Sequence, residues 1–316
     1  MARRKKTVNS GIGGQAVLEG VMMKNKDFYA VAVRKPDGEI DVETAEYHGI
    51  LHGSKLTKIP FIRGVFNFAD SLILGMRTLD HSASFYEDEG ATETKIDKAL
   101  GDKSQKTFSV LTVLLSFAIA IAIFIVLPYY LSTFLEKYVR NASLLAIFEG
   151  LIRLAIFLIY IVAITAMKDI KRLYQYHGAE HKCINCLEKG HNLNVHNVKR
   201  SSRYHRRCGT SFLLFVMVIS IILFMFITIA NPVLKIIVRI LLLPVIAGIS
   251  YEIIKLAGRS DNFIIKILSA PGILLQRLTT KEPDEDMIEV AIKSVEAVFD
   301  WKAFLKENFE YEEDEL

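Results

Sequence analysis

Histidine and cysteine residues are concentrated in one segment of the chain, residues 168–210, called the His/Cys segment below. Between His177 and Cys208 lie five of the eight histidines and all three cysteines. Imidazole and thiolate donors gathered in this way are what a zinc or iron site requires. An odd number of cysteines in a single segment argues against a disulfide framework and favours free thiols or metal ligands in a reducing compartment. We therefore expect a metal site here.

Within this segment, His177, Glu180 and His181 form the pattern H-x-x-E-H. On a helix this spacing places both imidazoles one turn apart on one face, with the carboxylate beside them. Such a set can bind Zn²⁺ or another divalent transition metal, with Glu180 as the general base that takes a proton from water. In an inverted zincin type of site the third ligand is a downstream acid, and Glu252 is the best placed.

A second grouping of ligands is also open from the sequence. Cys183 and Cys186 form a C-x-x-C pair, and His205 and Cys208 form a second pair further along. Two pairs of this kind are typical of a closed, structural zinc site. The two groupings can coexist, or one metal can take a mixed set of donors. The mixed set consists of His177, His181, His205 and Cys208.

The elements that must position these residues are mostly apolar helices. Of the 316 residues 51% are hydrophobic, and they are unevenly distributed. A helix needs about 20 apolar residues to cross the hydrocarbon core, and four runs are long enough. The predicted fold is mainly α, an integral membrane bundle of about four transmembrane helices with a small β-rich N-terminal module and an amphipathic helix. The predicted spans are 107–130, 144–167, 211–230 and 233–257.

The His/Cys segment connects the second predicted span to the third. His177 follows the second span after a short basic stretch, and Cys208 directly precedes the third. Because consecutive spans run antiparallel, we expect His177 and Cys208 to converge at one membrane surface. The segment carries ten Lys or Arg residues against three acids, so the positive-inside tendency places it in the cytoplasm. Both termini are then cytoplasmic, and the basic N-terminus is followed by no apolar run typical of a cleavable signal peptide.

Polar regions flank the bundle. Residues 28–33 and 39–47 alternate as strands do and are separated by a Pro-Asp-Gly turn, which predicts a β-rich module. Residues 59–79 carry one polar stripe at helical spacing, which predicts an amphipathic helix lying either on the membrane or on the β module. Asp284 is placed to cap a C-terminal helix. The predicted regions are 1–55 for the cytoplasmic β-rich module, 56–106 for the amphipathic helix and linker, 107–257 for the membrane region, and 258–316 for the cytoplasmic C-terminal helix and acidic tail.

The charged residues inside predicted spans include Glu149, Arg153 and Arg239. A charge at the centre of a span costs about 2.5 to 3.5 kcal/mol even on the lenient insertion scale, so each needs a partner. Glu149 and Arg153 are four residues apart on one helix, and Arg239 lies at a similar depth in the fourth span. We predict that Glu149 pairs with Arg153 or Arg239. A substrate or proton path through these charges is the alternative interpretation.

Three motifs in this chain resemble those of a known family. They are GGQAVLEGVMM from Gly13 to Met23, YHGAEHK from Tyr176 to Lys182, and HRRCGTSF from His205 to Phe212. In this order they are similar to the YqhQ family of bacterial membrane proteins, a family of unknown function. The resemblance implies a metal-dependent enzyme in the bacterial cytoplasmic membrane. Its motif positions correspond here to His177, Glu180, His181, His205 and Cys208. Arg206 stands where the family pattern has a proline, which leaves these donor atoms unchanged.

Three functions follow from these observations as hypotheses. The first is a metal-dependent hydrolase that reaches its substrate at the membrane surface. The second is a non-enzymatic membrane factor, whose basic His/Cys segment, with or without a structural zinc ion, binds anionic lipid or another anionic cytoplasmic partner through residues such as Arg203, Arg206 and Arg207. The third is a small transporter, which would require oligomerisation. Membrane lipids are expected partners, a homo-oligomer is possible, and no sequence-specific binding of nucleic acid is expected.

Overall fold

The computed structural model describes residues 7–86, 102–227, 229, 231–257, 263–309 and 311. The basic N-terminal arm and most of the acidic tail, both singled out above, lie outside these residues. Within them the protein is mainly helical, with one antiparallel sheet near the N-terminus.

The N-terminal module is a four-stranded meander with the order β1-β2-β3-β4. Its β3–β4 connection contains Pro36, Asp37 and Gly38, the turn that the sequence predicts, and Gly38 has a φ of 89° that suits glycine. The predicted β-rich module is therefore confirmed, with four strands where two were recognised. The strands are β1 (Gly13–Val17), β2 (Gly20–Asn25), β3 (Phe28–Arg34) and β4 (Ile40–Glu46).

The two faces of this sheet pack against different helices because successive side chains point in opposite directions. Val21, Met23 and Ala32 belong to a core shared with later helices of the chain. Met22 and its neighbours on the other face pack with Leu74 of helix α1 (Ile62–Ser84). The sheet is thus buried on both sides, which explains why β3 is an almost continuous apolar run.

Helix α1 contains the predicted amphipathic stretch and contacts both the membrane region and the sheet. A Cβ added to Gly64 would lie 2.9 Å from Cβ of Tyr251 and 3.1 Å from Cα of Gly248, so the two backbones approach closely. At its other end, Ser82 Oγ accepts a hydrogen bond of 3.1 Å from the Leu18 backbone N–H. Its outer face is apolar and exposed, at Leu72, Ile73, Met76 and Leu79.

Three helices among the described residues are long and apolar enough to cross a membrane: Leu111–Thr133, Ala142–Thr165 and Pro232–Leu256. The first is formed by α2 (Asp102–Ile121), a π-helical turn and α3 (Leu127–Thr133). The second is α4 (Ala142–Thr165). The last is formed by α8 (Pro232–Leu241) and α9 (Leu243–Ala257).

The third predicted span corresponds to a shorter helix. It is α7 (Gly209–Phe224), which is apolar and has 16 residues. At a rise of about 1.5 Å per residue its length is roughly 24 Å, less than the roughly 30 Å thickness of the hydrocarbon core. The first, second and fourth predicted spans are thus found at full length, whereas the helix of the third predicted span ends at Phe224.

The His/Cys segment is folded into helices and is not an extended loop. Helix α5 (Lys168–Glu188) follows α4 after two residues, and α6 (Val195–Arg200) precedes the start of α7. Five of the apolar residues on α5 point into the core of the module: Ala179, Cys183, Ile184, Cys186 and Leu187. Burial of this stripe stabilises α5 as a helix packed on the module, since a loop of solvated polar residues has no such apolar face.

Three helices complete the chain: α10 (Phe263–Thr279), α11 (Glu285–Val298) and α12 (Trp301–Phe309). The sequence interpretation did not separate α10 from the C-terminal region. Its Leu275 packs with Phe157 and Ile161 of α4, and Gly272 lies against Ser211 at the start of α7. As predicted, Asp284 caps α11, where its carboxylate accepts a hydrogen bond of 3.0 Å from the Met287 N–H.

Inside the bundle, Glu149 pairs with both arginines that the sequence offered. Its carboxylate accepts hydrogen bonds of 2.7 Å from Arg153 and 2.7 Å from each terminal nitrogen of Arg239. Arg153 also donates to the Phe124 carbonyl at 2.8 Å and to Ser220 Oγ at 3.2 Å. The predicted ion pair is confirmed, and it links α4 to α7 and α8. Mutual pairing accounts for the three charges without a transport pathway.

Replacing Glu149 with Gln should destabilise the protein strongly, because the change leaves two buried guanidinium groups with a neutral partner. Removing one member of a buried ion pair costs about 3–5 kcal/mol. We expect a clear fall in the midpoint of thermal unfolding in detergent. Glu136→Gln, at an exposed position, is the matched control and should change the midpoint little. Equal midpoints for the two variants would contradict the structural role.

Candidate metal centre

Helix α5 brings the two histidines of the H-x-x-E-H pattern together, as its spacing predicts. The ring centroids of His177 and His181 lie 4.4 Å apart. Nε2 of His177 lies 3.2 Å from Sγ of Cys208, the residue that precedes α7. One donor atom from each of these three residues lies within 4.8 Å of the others. The predicted convergence of the two ends of the His/Cys segment is confirmed.

Backbone carbonyl groups fix the orientation of both imidazoles. Nδ1 of His177 lies 2.9 Å from the Thr279 carbonyl oxygen, and Nδ1 of His181 lies 2.7 Å from the Arg203 carbonyl oxygen. A carbonyl only accepts, so each Nδ1 carries the hydrogen and each Nε2 is left to bind a partner. Ligating histidines in metal sites are oriented in the same manner by an acceptor on the second ring nitrogen.

Cys208 lies in an environment that favours a thiolate. It caps the N-terminus of α7, where Sγ accepts from the Thr210 N–H at 3.4 Å and lies 3.1 Å from the Thr210 hydroxyl. Burial alone would raise the pKa of this thiol, but His177 and His181 hold the pKa of Cys208 well below its ordinary value. Burial opposes the charge on His177 as well, yet Cys208 and Glu180 raise the pKa of His177 to about 9. Opposite charges therefore stabilise each other here.

The three donors fit a divalent metal of the zinc type. Zinc bonds of about 2.0–2.1 Å to nitrogen and about 2.3 Å to sulfur, at a tetrahedral angle, place the two ligand atoms roughly 3.5 Å apart. The separation of 3.2 Å between His177 Nε2 and Cys208 Sγ is close to this value. Soft sulfur and imidazole donors suit zinc and its neighbours among the transition metals. With three protein ligands a tetrahedral ion keeps one further position.

Glu180 lies beside these donors and is almost fully buried, with 5% of its surface exposed. Burial raises the pKa of its carboxyl group, while His181 and His177 lower it in part. The backbone N–H of Gly14 in β1 also lowers this pKa. A Cβ on Gly14 would lie 2.6 Å from the Met22 carbonyl oxygen and 3.0 Å from Cγ of Glu180, so a side chain at this position would have to displace the backbone. The N-terminal motif therefore contacts the candidate site directly.

Glu252 is not part of this group, which corrects the prediction of a downstream acidic ligand. Its carboxylate receives two hydrogen bonds from Arg63 of α1, at 2.7 and 2.5 Å. The close packing of α1 on α9 supplies this arginine. A carboxylate that already accepts two hydrogen bonds from one guanidinium group is a poor metal ligand.

His205 lies next to the group but outside it. Its ring centroid is 5.6 Å from that of His181, and its Nε2 lies 3.6 Å from a carboxylate oxygen of Glu188. Gln276 of α10 holds its backbone, accepting from the His205 N–H at 2.8 Å and donating to the His205 carbonyl at 2.7 Å. The structure thus places His205 among the neighbours of the three donors.

The proposed four-ligand zinc grouping does not assemble in the described part of the chain. Cys183 is fully buried in the apolar core, where burial raises the pKa of its thiol well above the ordinary value. Cys186 is buried too, and its Sγ lies 3.5 Å from the Asn192 carbonyl oxygen. Both cysteines behave as small apolar residues of α5. The exposed His191 and His196 also lie apart from the site.

Several residues of the site were not predicted from the sequence. Thr279 and Gln276 come from α10, and Arg203 contributes only its carbonyl oxygen. No sequence signal identifies a backbone acceptor. Thr210 was recognisable, because it lies two residues after Cys208 in the third motif and is placed to bond a capping side chain.

Comparison with known sequences identifies the family of the chain. The profile of a family described as "Protein of unknown function (DUF1385)" matches residues 59–301. The chain belongs to this family. Besides the DUF1385 match, the chain is 36% identical over 314 residues to the "Uncharacterized protein YqhQ" of Bacillus subtilis (strain 168), covering 96% of this chain and 97% of that protein. The family resemblance expected from the three motifs is confirmed. No solved structure gives a significant match.

Elemental analysis of purified wild type and variants tests the three-donor centre of this DUF1385 protein. His177→Ala and Cys208→Ala should each remove about one equivalent of bound zinc or similar metal per chain, because each deletes one of the three donors. Cys183→Ala and His191→Ala should leave the metal content unchanged. Loss of metal in Cys183→Ala together with its retention in His177→Ala would instead favour the four-ligand grouping.

Proposed function

We propose that this chain is a metal-dependent membrane enzyme, most plausibly a hydrolase. In this proposal His177, His181 and Cys208 hold Zn²⁺ or another divalent transition metal, and Glu180 is the general base. The observation that carries it is the anchoring of both Nδ1 atoms by backbone carbonyls, which turns the two Nε2 atoms towards the buried sulfur of Cys208. That arrangement serves metal binding better than it serves packing.

The donor set supports a catalytic centre in preference to a closed structural one. Three protein ligands with a fourth position free are characteristic of catalytic zinc sites, whereas structural sites use four. A bound metal would supply Lewis acidity towards water and towards the oxygen of a substrate carbonyl or phosphoryl group. Glu180 lies beside the donors, where its carboxylate would accept the proton of the attacking water and later return it to the leaving group. Gly14, which packs against the Glu180 side chain, would limit its movement.

The placement of the site supports a reaction at the membrane surface. Helix α5 follows the end of α4 after two residues, and Cys208 directly precedes α7. If α7 serves as a fourth, short span, the site lies where α4 and α7 leave the bilayer. The ten basic residues of the His/Cys segment favour the cytoplasmic side, with both termini also in the cytoplasm. Membrane lipids and molecules held at the lipid surface are then the accessible substrates.

A second candidate function is a non-enzymatic membrane factor in which the metal is structural and holds α5 against the start of α7. The burial of the donors favours it, since His181 is 1% and Cys208 5% exposed. Its partner would be anionic. Against it, two of the arginines expected to bind such a partner are engaged within the chain, Arg203 with Glu282 at 3.1 Å and Arg207 with Glu188.

Glu180→Gln separates the two functions, because it preserves the size of the side chain and an acceptor for the Gly14 N–H. We expect the variant to retain its metal and its unfolding midpoint, and to lose turnover by about 10²- to 10⁴-fold, the usual contribution of a general base. The assay uses detergent-purified protein and a panel of chromogenic carboxylic esters, amides and phosphodiesters.

Glu289→Gln, an exposed carboxylate on α11, is the control and should keep full turnover. Undiminished turnover in Glu180→Gln would exclude the general base. If the wild type binds metal but turns over no substrate of the panel, the result would favour the non-enzymatic membrane factor with a structural metal.

A further inference from the structure

A second group of donor residues lies far along the chain from the first. It consists of Asp27, His48 and His52, whose donor atoms lie within 4.8 Å of one another. The ring centroids of His48 and His52 are 4.3 Å apart. Of the three histidines outside the His/Cys segment, two are in this group. Asp27 comes from the β2–β3 turn and the histidines from the segment after β4, so two separate parts of the chain converge here.

The segment that carries the two histidines is held in a defined conformation. Asp70 of α1 accepts hydrogen bonds from the Tyr47 hydroxyl at 3.0 Å and from the Ile50 N–H at 2.9 Å. Gly49 lies so close to Asp70 that a Cβ there would collide with the carboxylate. The Tyr47 N–H donates to the Asp27 carbonyl at 2.8 Å, which joins this segment to the β2–β3 turn. The backbone on either side of Gly49 is therefore held in place, while the side chains of Asp27, His48 and His52 are exposed.

Two of the three residues in this group, Asp27 and His52, have donor atoms that no other side chain hydrogen-bonds within the described part of the chain. Nε2 of His48 lies 3.3 Å from a carboxylate oxygen of Glu46, which adds a second acid next to the group. Asp27 and His52 line a cavity of about 590 Å³ between the sheet and α1. An ion bound to them would keep positions open towards this cavity.

We propose that Asp27, His48 and His52 form a second binding site for a divalent transition metal. Two imidazoles and one carboxylate are a donor set that suits Zn²⁺, Co²⁺, Ni²⁺ and Fe²⁺, and three protein ligands leave room for an exogenous ligand in the cavity. Lys24 and Lys26 line the same cavity and favour an anionic ligand there.

This site is separate from the His177/His181/Cys208 centre. The cavity is lined by Met22 and Lys24, which lie on the α1 face of the sheet. Gly14 also lines the cavity, and Glu180 contacts it from the opposite face. The donor sets also differ in chemistry, because only the first contains sulfur. The second site can therefore be tested whether or not the first proves to bind metal or to catalyse a reaction.

Titration of the full-length, untagged protein in detergent with Co²⁺ distinguishes the two sites. Binding at Cys208 produces thiolate-to-cobalt charge transfer, and binding at Asp27, His48 and His52 does not. The variant His177→Ala/Cys208→Ala isolates the second site and should still bind about one Co²⁺ per chain without a charge-transfer band. Adding His48→Ala/His52→Ala to it should abolish this binding.

Asp27→Asn decides whether the site is built or adventitious. A pair of exposed histidines can bind Co²⁺ weakly without any carboxylate, so in that case Asp27→Asn would change nothing and the proposal would fail. If Asp27 is a ligand, Asp27→Asn should lower the affinity for Co²⁺ by more than about 10-fold, since substituting residues that only support metal ligands usually costs at least that much. His81→Ala is the matched control, because His81 pairs with Glu43 at 3.0 Å outside the group. Equal affinity for His81→Ala and His48→Ala/His52→Ala would also overturn the proposal.

Discussion

Two imidazole N–H groups in the protein interior need acceptors, and this requirement determines which parts of the chain meet around Cys208. A buried polar group without a hydrogen bond costs about 1–3 kcal/mol. His177 and His181 satisfy theirs with the carbonyls of Thr279 and Arg203. The C-terminal end of α10 and the segment before α7 must therefore lie against α5. Gln276 extends the same contact by bonding both backbone groups of His205 and the Ser211 hydroxyl.

The N-terminal module packs against the same helix, because its segment from Ser10 to Glu19 runs antiparallel to α5. Ser10 bonds Glu188 through its backbone N–H and hydroxyl at 2.8 and 2.9 Å, Gly14 packs against Glu180, and Glu19 pairs with Arg172. The three positions on α5 follow one another at intervals of eight residues, a little over two helical turns, so the line of contact winds around the helix by about 80° at each step. The first two family motifs, far apart in sequence, are thus the two sides of one contact line. A substitution in either is expected to act on the other.

The sequence was sufficient where a local pattern determines the outcome. The H-x-x-E-H spacing placed His177 and His181 on one helical face, and the antiparallel order of spans brought Cys208 to them. It was insufficient for Glu252, because the arginine that binds this acid comes from α1. The packing of α1 on α9 depends on the close approach of Gly64 to Gly248, which the hydropathy pattern does not reveal.

Cys183 and Cys186 illustrate a different limit. The C-x-x-C spacing suggested ligands, but on α5 both residues fall on the apolar stripe with Ala179 and Leu187, at the three- and four-residue intervals of a buried helix face. The burial of both cysteines was therefore predictable from the sequence, provided that the segment was assumed to be helical. The role of His205 was not, since it depends on Gln276 of the unpredicted α10.

The geometry of the metal centre is coupled to packing inside the bundle. His177 and His181 lie on α5, which follows the end of α4, and Cys208 precedes the start of α7. The distance between His177 Nε2 and Cys208 Sγ therefore depends on how α4 and α7 are aligned. Their alignment is set near the other end of the pair, where Arg153 bonds Ser220 and Gly150 lies against Ile221. Because protein interiors are densely packed, a shift of the two helices by a fraction of a helical turn cannot be absorbed locally. The ion cluster at Glu149 and the donor group at Cys208 therefore hold the two ends of one helix pair in register.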